Sequence, residues 1–457
     1  MTMHGLLAHV SALAADYLDS ASIRPVAEPA RLEDLVDSIG AELPDDGVDP
    51  LRVIDDLAHG VDPGLVVTNG GRYFGFVEGG VLPAALGADW LASAWDQNPG
   101  FFALSPAAAA VEEICRRWLC DLLGLPGDWS AGFTTGAQMA NFVGLAAARQ
   151  HVLAAVGWDV EQRGLFAAPP LTVAVGRERH ATIDRALRFL GIGQEQLAVV
   201  DVDDQGRMRP DRIAAALDGA GPAIVCAQAG NVSTGAIDPI GAIADAGHAH
   251  GAWVHVDGAF GAWAAASPEL RHLAAGLERA DSLSTDGHKW LNVPYDCGIA
   301  LCALPEAHRA AMRLSADYLA SDGSRNGSDW TPESSRRARA FAVHAALRSL
   351  GRRGVARLVE RSCAQARRAA EALAADPDLA VLNDVTLNQV LVRVGDDDER
   401  TRAVAAAVQR GGRTWFGTTI WQGRAAIRIS VSDHATDDGA IDALVAALRA
   451  AAASTPR

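Results

Sequence analysis

The chain has 457 residues, 49% of them hydrophobic, with 40 basic and 56 acidic side chains and a net charge of −16. That length can bury a large core and predicts one large domain with smaller appendages. The acidic balance, with no Lys/Arg run or basic stripe, argues against nucleic acid as a partner.

The first residues, MTMHGLLAHVSALAADYLD, carry acidic groups early and no long apolar run, so they read as an amphipathic helix rather than a signal peptide or membrane span. To about residue 70 the helical pattern is broken by RPVAEP and LPDDGVDP, as in an arm that packs on another subunit. From about 75 to 315, β-branched runs alternate with helical stretches: LTVAV (171 to 175), AVVDV (198 to 202), AIVCAQ (223 to 228), WVHVDG (253 to 258) and GIALCAL (298 to 304). This alternation predicts an α/β fold built on a mainly parallel sheet.

SDGSRNGSDWTP (321 to 332) lacks apolar periodicity and reads as a mobile surface loop of the kind used as a lid. A long helix and the strands NQVLVRV and AAIRISV follow, in a small α+β domain. The expected division is an arm over 1–75, a large domain over 76–335 and a small domain over 336–457. The six cysteines form no CxxC pair, which favours a reducing cytoplasm, and no metal site is expected.

Four elements carry chemistry. In ADSLSTDGHKWLNVPYDCG, Lys289 lies among apolar and aromatic residues, and a desolvated amine is the nucleophile that forms an imine with an aldehyde; the alternative is an ammonium group that reaches solvent. In HVDGAF, Asp257 ends a strand, where a carboxylate points into the ligand crevice and can balance the ring nitrogen of pyridoxal 5′-phosphate (PLP). Ala259 leaves room for a ring beside it, and the alternative for Asp257 is a helix cap.

The third element, AGFTTGAQMANFVGLAAAR, leads into a helix with Met139, Phe142, Val143 and Ala146 at helical spacing. Its first turn, Thr135, Gly136 and Ala137, suits a phosphate. The fourth is His180 in GRERHATIDRALRFLG, placed to lie over an aromatic cofactor or to shuttle protons, unless it is a cap or surface group.

Taken in order, YFGFVEGG, TTGAQMAN, His180, CAQAGNVSTGAIDP, HVDGAF, DGHKW and TTIWQGRAAIRISVS resemble the group II PLP-dependent decarboxylases, the family of aromatic-L-amino-acid, histidine and glutamate decarboxylases. The resemblance spans most of the chain. It implies the aspartate-aminotransferase type I fold, with a seven-stranded, mainly parallel sheet in the large domain, and a homodimer with active sites at the subunit interface. It also implies that Lys289 forms the imine, Asp257 binds the ring nitrogen, His180 stacks on the ring and Ala259 packs beneath it. Thr135, Gly136 and Ala137 meet the phosphate, while Asn231, Ser233, Asp286 and His288 complete the cradle.

Two departures stand out. The family's lid presents a tyrosine that protonates the carbanion, yet between Tyr318 and Arg336 the only aromatic is Trp330. His180 or water then supplies the proton, or oxygen intercepts the carbanion and an aldehyde results. The second is Glu78, which with Tyr73 and Phe74 occupies the substrate-lining segment YFGFVEGG and can pair with a polar group on the substrate unless it faces solvent. With NPGFFALSP (98 to 106) this suggests an aromatic or aliphatic side chain. Arg336 and Arg337 are candidates for lid or carboxylate contacts.

The expected reaction is decarboxylation of an L-amino acid to its amine. Rivals are oxidative decarboxylation, transamination or side-chain cleavage on the same scaffold, and a non-catalytic PLP-binding subunit.

Overall fold

A computed structural model describes residues 2–27, 30–314 and 324–456. They form two compact units, one of residues 81–366 with 383–389, the other of residues 1–80, 367–382 and 390–457.

The larger unit is built on seven strands: β1 (Ser130–Thr134), β2 (Thr172–Gly176), β3 (Leu197–Val200), β4 (Ala223–Gln228), β5 (Trp253–Asp257), β6 (Ser282–Asp286) and β7 (Gly298–Cys302). Their order is β1-β7-β6-β5-β4-β2-β3, and only β7 runs against its two neighbours. The alternation of runs predicts five of these strands to within a few residues. β1 and β6 are additional: SAGFT and SLSTD lack β-branched runs and are buried by neighbouring strands rather than by their own hydrophobicity.

Helices cover both faces of the sheet. Adjacent residues of a strand point to opposite faces. A Cβ on Gly144, in the helix Ala137–Ala155, would meet His255, whereas one on Gly247, in the helix Ile240–His248, would meet Val254. β5 is therefore buried from both sides, and its five residues read as buried throughout.

Residues 324–332 differ from the predicted mobile surface loop, whose first three residues lie outside the described ones. Ser328, Asp329 and Thr331 are buried. The Trp330 carbonyl accepts from His308 Nε2 at 3.0 Å, and Gly132 of β1 admits that carbonyl where a Cβ would lie 2.1 Å from it. Beside this segment Arg336 pairs with the enclosed Glu112 at 2.7 Å, while Arg337 pairs with Asp89 at 2.8 Å. Both arginines thus serve protein carboxylates.

The smaller unit holds a four-stranded sheet of β8 (Leu379–Val381), β9 (Gln389–Val394), β10 (Gly417–Trp421) and β11 (Arg424–Ser430), ordered β10-β11-β9-β8. It also holds the N-terminal helices Met3–Ser20 and Leu32–Ile39, neither of which buries a residue. Among the described residues no helix is long and apolar enough to cross a membrane.

Candidate active site

The chemistry gathers where β4, β5 and β6 end in parallel at Gln228, Asp257 and Asp286, the end of a parallel sheet at which ligands bind. The segments after β5 and β6 stay paired beyond the strands: Gly258 N donates to Ser284 O at 2.9 Å, and Asp286 N to Ala259 O at 2.9 Å. This pairing carries Lys289, three residues past Asp286, beside the end of the Asp257 strand.

Asp286 is buried and divides its carboxylate. One oxygen accepts from the Ala137 backbone N–H at 2.6 Å, and the other lies 3.0 Å from Lys289 Nζ. A carboxylate at a helix start is favoured by the free N–H groups and the macrodipole. The Ala137 N–H of the predicted phosphate turn is thereby taken by Asp286. Thr135 is exposed and Gly136 half-buried in the same turn.

His288 is fixed as a neutral ring. Cys297 N donates to its Nδ1 at 3.0 Å, Tyr295 stacks on it at 4.3 Å, and burial holds its pKa below the usual histidine value. Space beside it is tight at Gly136, where a Cβ would sit 3.1 Å from His288 Cε1. Gly298 of β7 is tighter still, with a Cβ only 2.2 Å from the Gly136 carbonyl carbon.

Asp257 is buried and accepts from Asn141 Nδ2 at 3.1 Å and Ala259 N at 3.2 Å, with Ser284 Oγ at 3.5 Å. His180 caps the helix Ala181–Phe189 through its ring: Nδ1 lies 3.3 Å from Thr182 N and 2.8 Å from Thr182 Oγ1. The His180 backbone N–H donates to Gln228 Oε1 at 3.2 Å. Asn231 organises its own turn, donating to Glu178 O and accepting from the N–H groups of Ser233 and Thr234.

Asn141, Thr182, Gln228, Asp238, His255 and Ser284 were not singled out by the sequence. Asp238, buried, accepts from Met208 N and Gln228 N, each at 2.7 Å, and burial pushes its carboxyl up to about 7. Its signal was the acid in GAIDP. The signal for His255 was its spacing of two from Asp257, which puts both on one face.

In the smaller unit Phe74 is enclosed and Tyr73 stacks on Trp415 at 4.7 Å, whereas Phe76 exposes its ring. Glu78 is half-buried.

The residues fit PLP. Lys289 offers an amine for the aldehyde, Asp257 a buried acceptor for a cationic ring nitrogen, and the Thr135–Gly136 turn a helix start for a phosphate.

A family model described as the pyridoxal-dependent decarboxylase conserved domain matches residues 32–394. An aromatic-L-amino-acid decarboxylase of Bacillus atrophaeus is 28% identical over 74% of this chain and 70% of its own length. Human cysteine sulfinic acid decarboxylase is 32% identical over 60% of this chain and 55% of its own. In fold, the chain is similar to the crystal structure of Oryza sativa TDC with PLP and tryptamine, with a TM-score of 0.92, 24% identity and coverage of 98% and 97% of the two chains.

Proposed function

Because this chain belongs to the pyridoxal-dependent decarboxylase family, a PLP-dependent group of enzymes, we propose that it removes the α-carboxyl group of an L-amino acid as carbon dioxide and releases the amine. One contact carries this conclusion: Lys289 Nζ lies 3.0 Å from the buried Asp286, on the strand that pairs with the one ending in Asp257.

When bound, PLP supplies a cationic ring that takes up the electron pair left as the bond from Cα to the carboxyl carbon breaks. Lys289 supplies the amine that joins the coenzyme, and Asp286 orients that amine while anchoring the start of the helix Ala137–Ala155. Asp257 holds negative charge against the ring nitrogen, and Ala259 leaves room for the ring and packs beneath it. Thr135 and Gly136 receive the phosphate, the Ala137 N–H being engaged by Asp286, with Asn231, Ser233 and His288 shaping the cradle. His180 faces the ring and returns a proton to the substrate carbon, alone or through water, since no tyrosine lies between Tyr318 and Arg336.

We assign substrate selection to Tyr73, Phe74 and Glu78, with an aromatic or aliphatic side chain bearing one polar group as the preferred class. The enzyme is proposed to work in the cytoplasm as a homodimer. In support, all six cysteines are buried thiols, and the N-terminal arm exposes Met3, Leu7, Leu32 and Leu43, an apolar surface that a second copy would cover.

The test is to incubate the PLP-loaded enzyme with each common L-amino acid and measure carbon dioxide, amine, aldehyde, hydrogen peroxide and keto acid together. Carbon dioxide with equimolar amine is expected. Aldehyde and peroxide without amine would replace decarboxylation by its oxidative counterpart, favoured by the lid sequence without tyrosine.

A further inference from the structure

We propose that Asn141 is a positioning residue: its carboxamide stands at the branch of one buried, directed hydrogen-bond chain that holds Asp257 and His180 together. The inference rests on the roles given above to those two residues.

The direction follows from a group that can only accept, the Asp257 carboxylate, which draws the Asn141 nitrogen toward itself and leaves Oδ1 to accept from His255 Nε2. The Trp253 indole N–H has no acceptor capacity, and it lies 2.8 Å from Ser282 Oγ. Ser282 receives that bond and sends its own proton to His255 Nδ1, 2.8 Å away. The His255 ring is enclosed, and burial pushes its pKa down to about 4, so near neutral pH it carries one proton, on Nε2. Nε2 donates to Asn141 Oδ1 at 2.9 Å, and Ser284 Oγ donates to the same oxygen at 2.5 Å.

With its oxygen so engaged, Asn141 turns its nitrogen the other way. One N–H reaches Asp257 Oδ2 at 3.1 Å and the other Thr182 Oγ1 at 3.4 Å. Thr182 then gives its hydroxyl proton to His180 Nδ1 at 2.8 Å, where its backbone N–H also points. The backbone N–H of Thr182 can only donate, so Nδ1 is an acceptor and the neutral ring carries its proton on Nε2.

The asparagine carboxamide matches this place. Asparagine uses two donors and two acceptor sites here, one for each of four partners. Leucine would orphan the Nε2–H of His255, and aspartate would set a second carboxylate against Asp257. Gly144, one turn along the helix, makes room for the ring, since a Cβ there would lie 2.8 Å from His255 Nδ1. The titratable groups around the branch are Asp257 and His255 of β5, His180, Cys226 of β4 with its thiol kept protonated by burial, and Asp286 with Lys289 beyond β6.

Apoenzyme of the wild type, Asn141→Asp and Asn141→Leu is titrated with PLP from about pH 6 to about pH 9, reading affinity from visible absorbance and folding from Tm. In Asn141→Asp two carboxyl groups share a proton whose pKa is raised, so the acid form replaces the amide donor and the ionised form repels Asp257. Its affinity should lie within about threefold of wild type at the acid end and fall roughly tenfold or more below it at the alkaline end. Asn141→Leu should bind roughly ten- to a hundredfold more weakly at every pH, the range for losing a hydrogen bond to a charged group.

Asn141→Asp following the wild type across the whole pH range would overturn the proposal, as would Asn141→Leu binding within about twofold of it. Should Asn141→Leu not fold, the isosteric Asn141→Asp still decides. Wild type that gains no visible absorbance would remove the coenzyme assignment itself, a different failure from parallel pH profiles.

Discussion

Lys289 and Asp286 are joined by a 3.0 Å ion pair within one short turn, and the carboxylate is the more deeply buried partner. Because the other oxygen of Asp286 accepts from Ala137 N at 2.6 Å, a single acid ties the proposed imine-forming amine to the helix that starts the phosphate turn. The pair orients a reactive amine, which is how a protein contributes to chemistry that the cofactor itself performs.

Lys289→Ala should abolish the visible absorbance of the holoenzyme and lower carbon dioxide release by about a thousandfold or more, in line with the loss of a covalent catalyst. Absorbance and manometry on the same sample check this. A variant that keeps both the colour and the activity would remove Lys289 from its role.

Asp286→Asn keeps the size of the side chain and removes its charge. The loss of a charge-assisted bond at a buried helix start is expected to lower stability by about 1–3 kcal/mol. PLP affinity should fall with it, because the same acid holds Lys289. Calorimetry of the apoenzyme and a PLP titration read the two effects separately.

Thr182 separates a cap from a catalytic device. Thr182→Ser retains the hydroxyl 2.8 Å from His180 Nδ1, whereas Thr182→Val leaves only the backbone N–H at 3.3 Å. The valine variant should lose about tenfold in kcat and the serine variant less than about threefold, both short of the roughly hundredfold or more that loss of the whole acid–base group would cost. Equal rates for the two would make the threonine merely structural.

The acid limb of stability follows from buried histidines. His308, enclosed between Ser130 Oγ at 2.9 Å and the Trp330 carbonyl at 3.0 Å, has its pKa pushed down to about 4 by burial. A base whose folded pKa is depressed stabilises the fold above its unfolded value and loses that contribution as pH falls toward the folded pKa. The window is therefore from about 6.5 down to about 4, worth about 2 kcal/mol between pH 7 and pH 5. Asp238, raised to about 7, acts in the opposite sense over the same window. His308→Gln isolates the first effect: its Tm should decline less than that of wild type between pH 7 and pH 5.

Arg336→Met should be severe. It leaves Glu112, enclosed and paired at 2.7 Å, without its principal counter-charge, and breaking a buried pair from one side costs about 3–5 kcal/mol. Removing both charges in Glu112→Leu with Arg336→Met should restore much of the lost Tm. A double variant no better than the single one would show that the arginine acts by packing alone.

Much of this was legible in particular residues. HVDGAF gave a strand ending in an acid, DGHKW a lysine in apolar company, and TTGAQMAN a helix start, and all three meet at one end of the sheet. SLSTD did not read as a strand because Ser282 and Ser284 carry no β signal, and their burial depends on polar partners in β5 and the Asn141 helix. Residues 324–332 differ from a mobile surface loop for a related reason. Their polar groups satisfy a buried surface: Asp329 meets Arg309 at 3.1 Å, and Arg325 meets the Ala131 carbonyl at 2.7 Å.

Short-range spacing by itself determined the α/β alternation and pointed to Lys289 and Asp257, because hydrophobic period and strand-end position are local properties of the chain, whereas Asp286 came only with the family resemblance. Which partner each polar group finds was decided only when β5, β6 and the Asn141 helix came together. Donor direction, tautomer and burial arise from atoms far apart in sequence, and no window along the chain contains them.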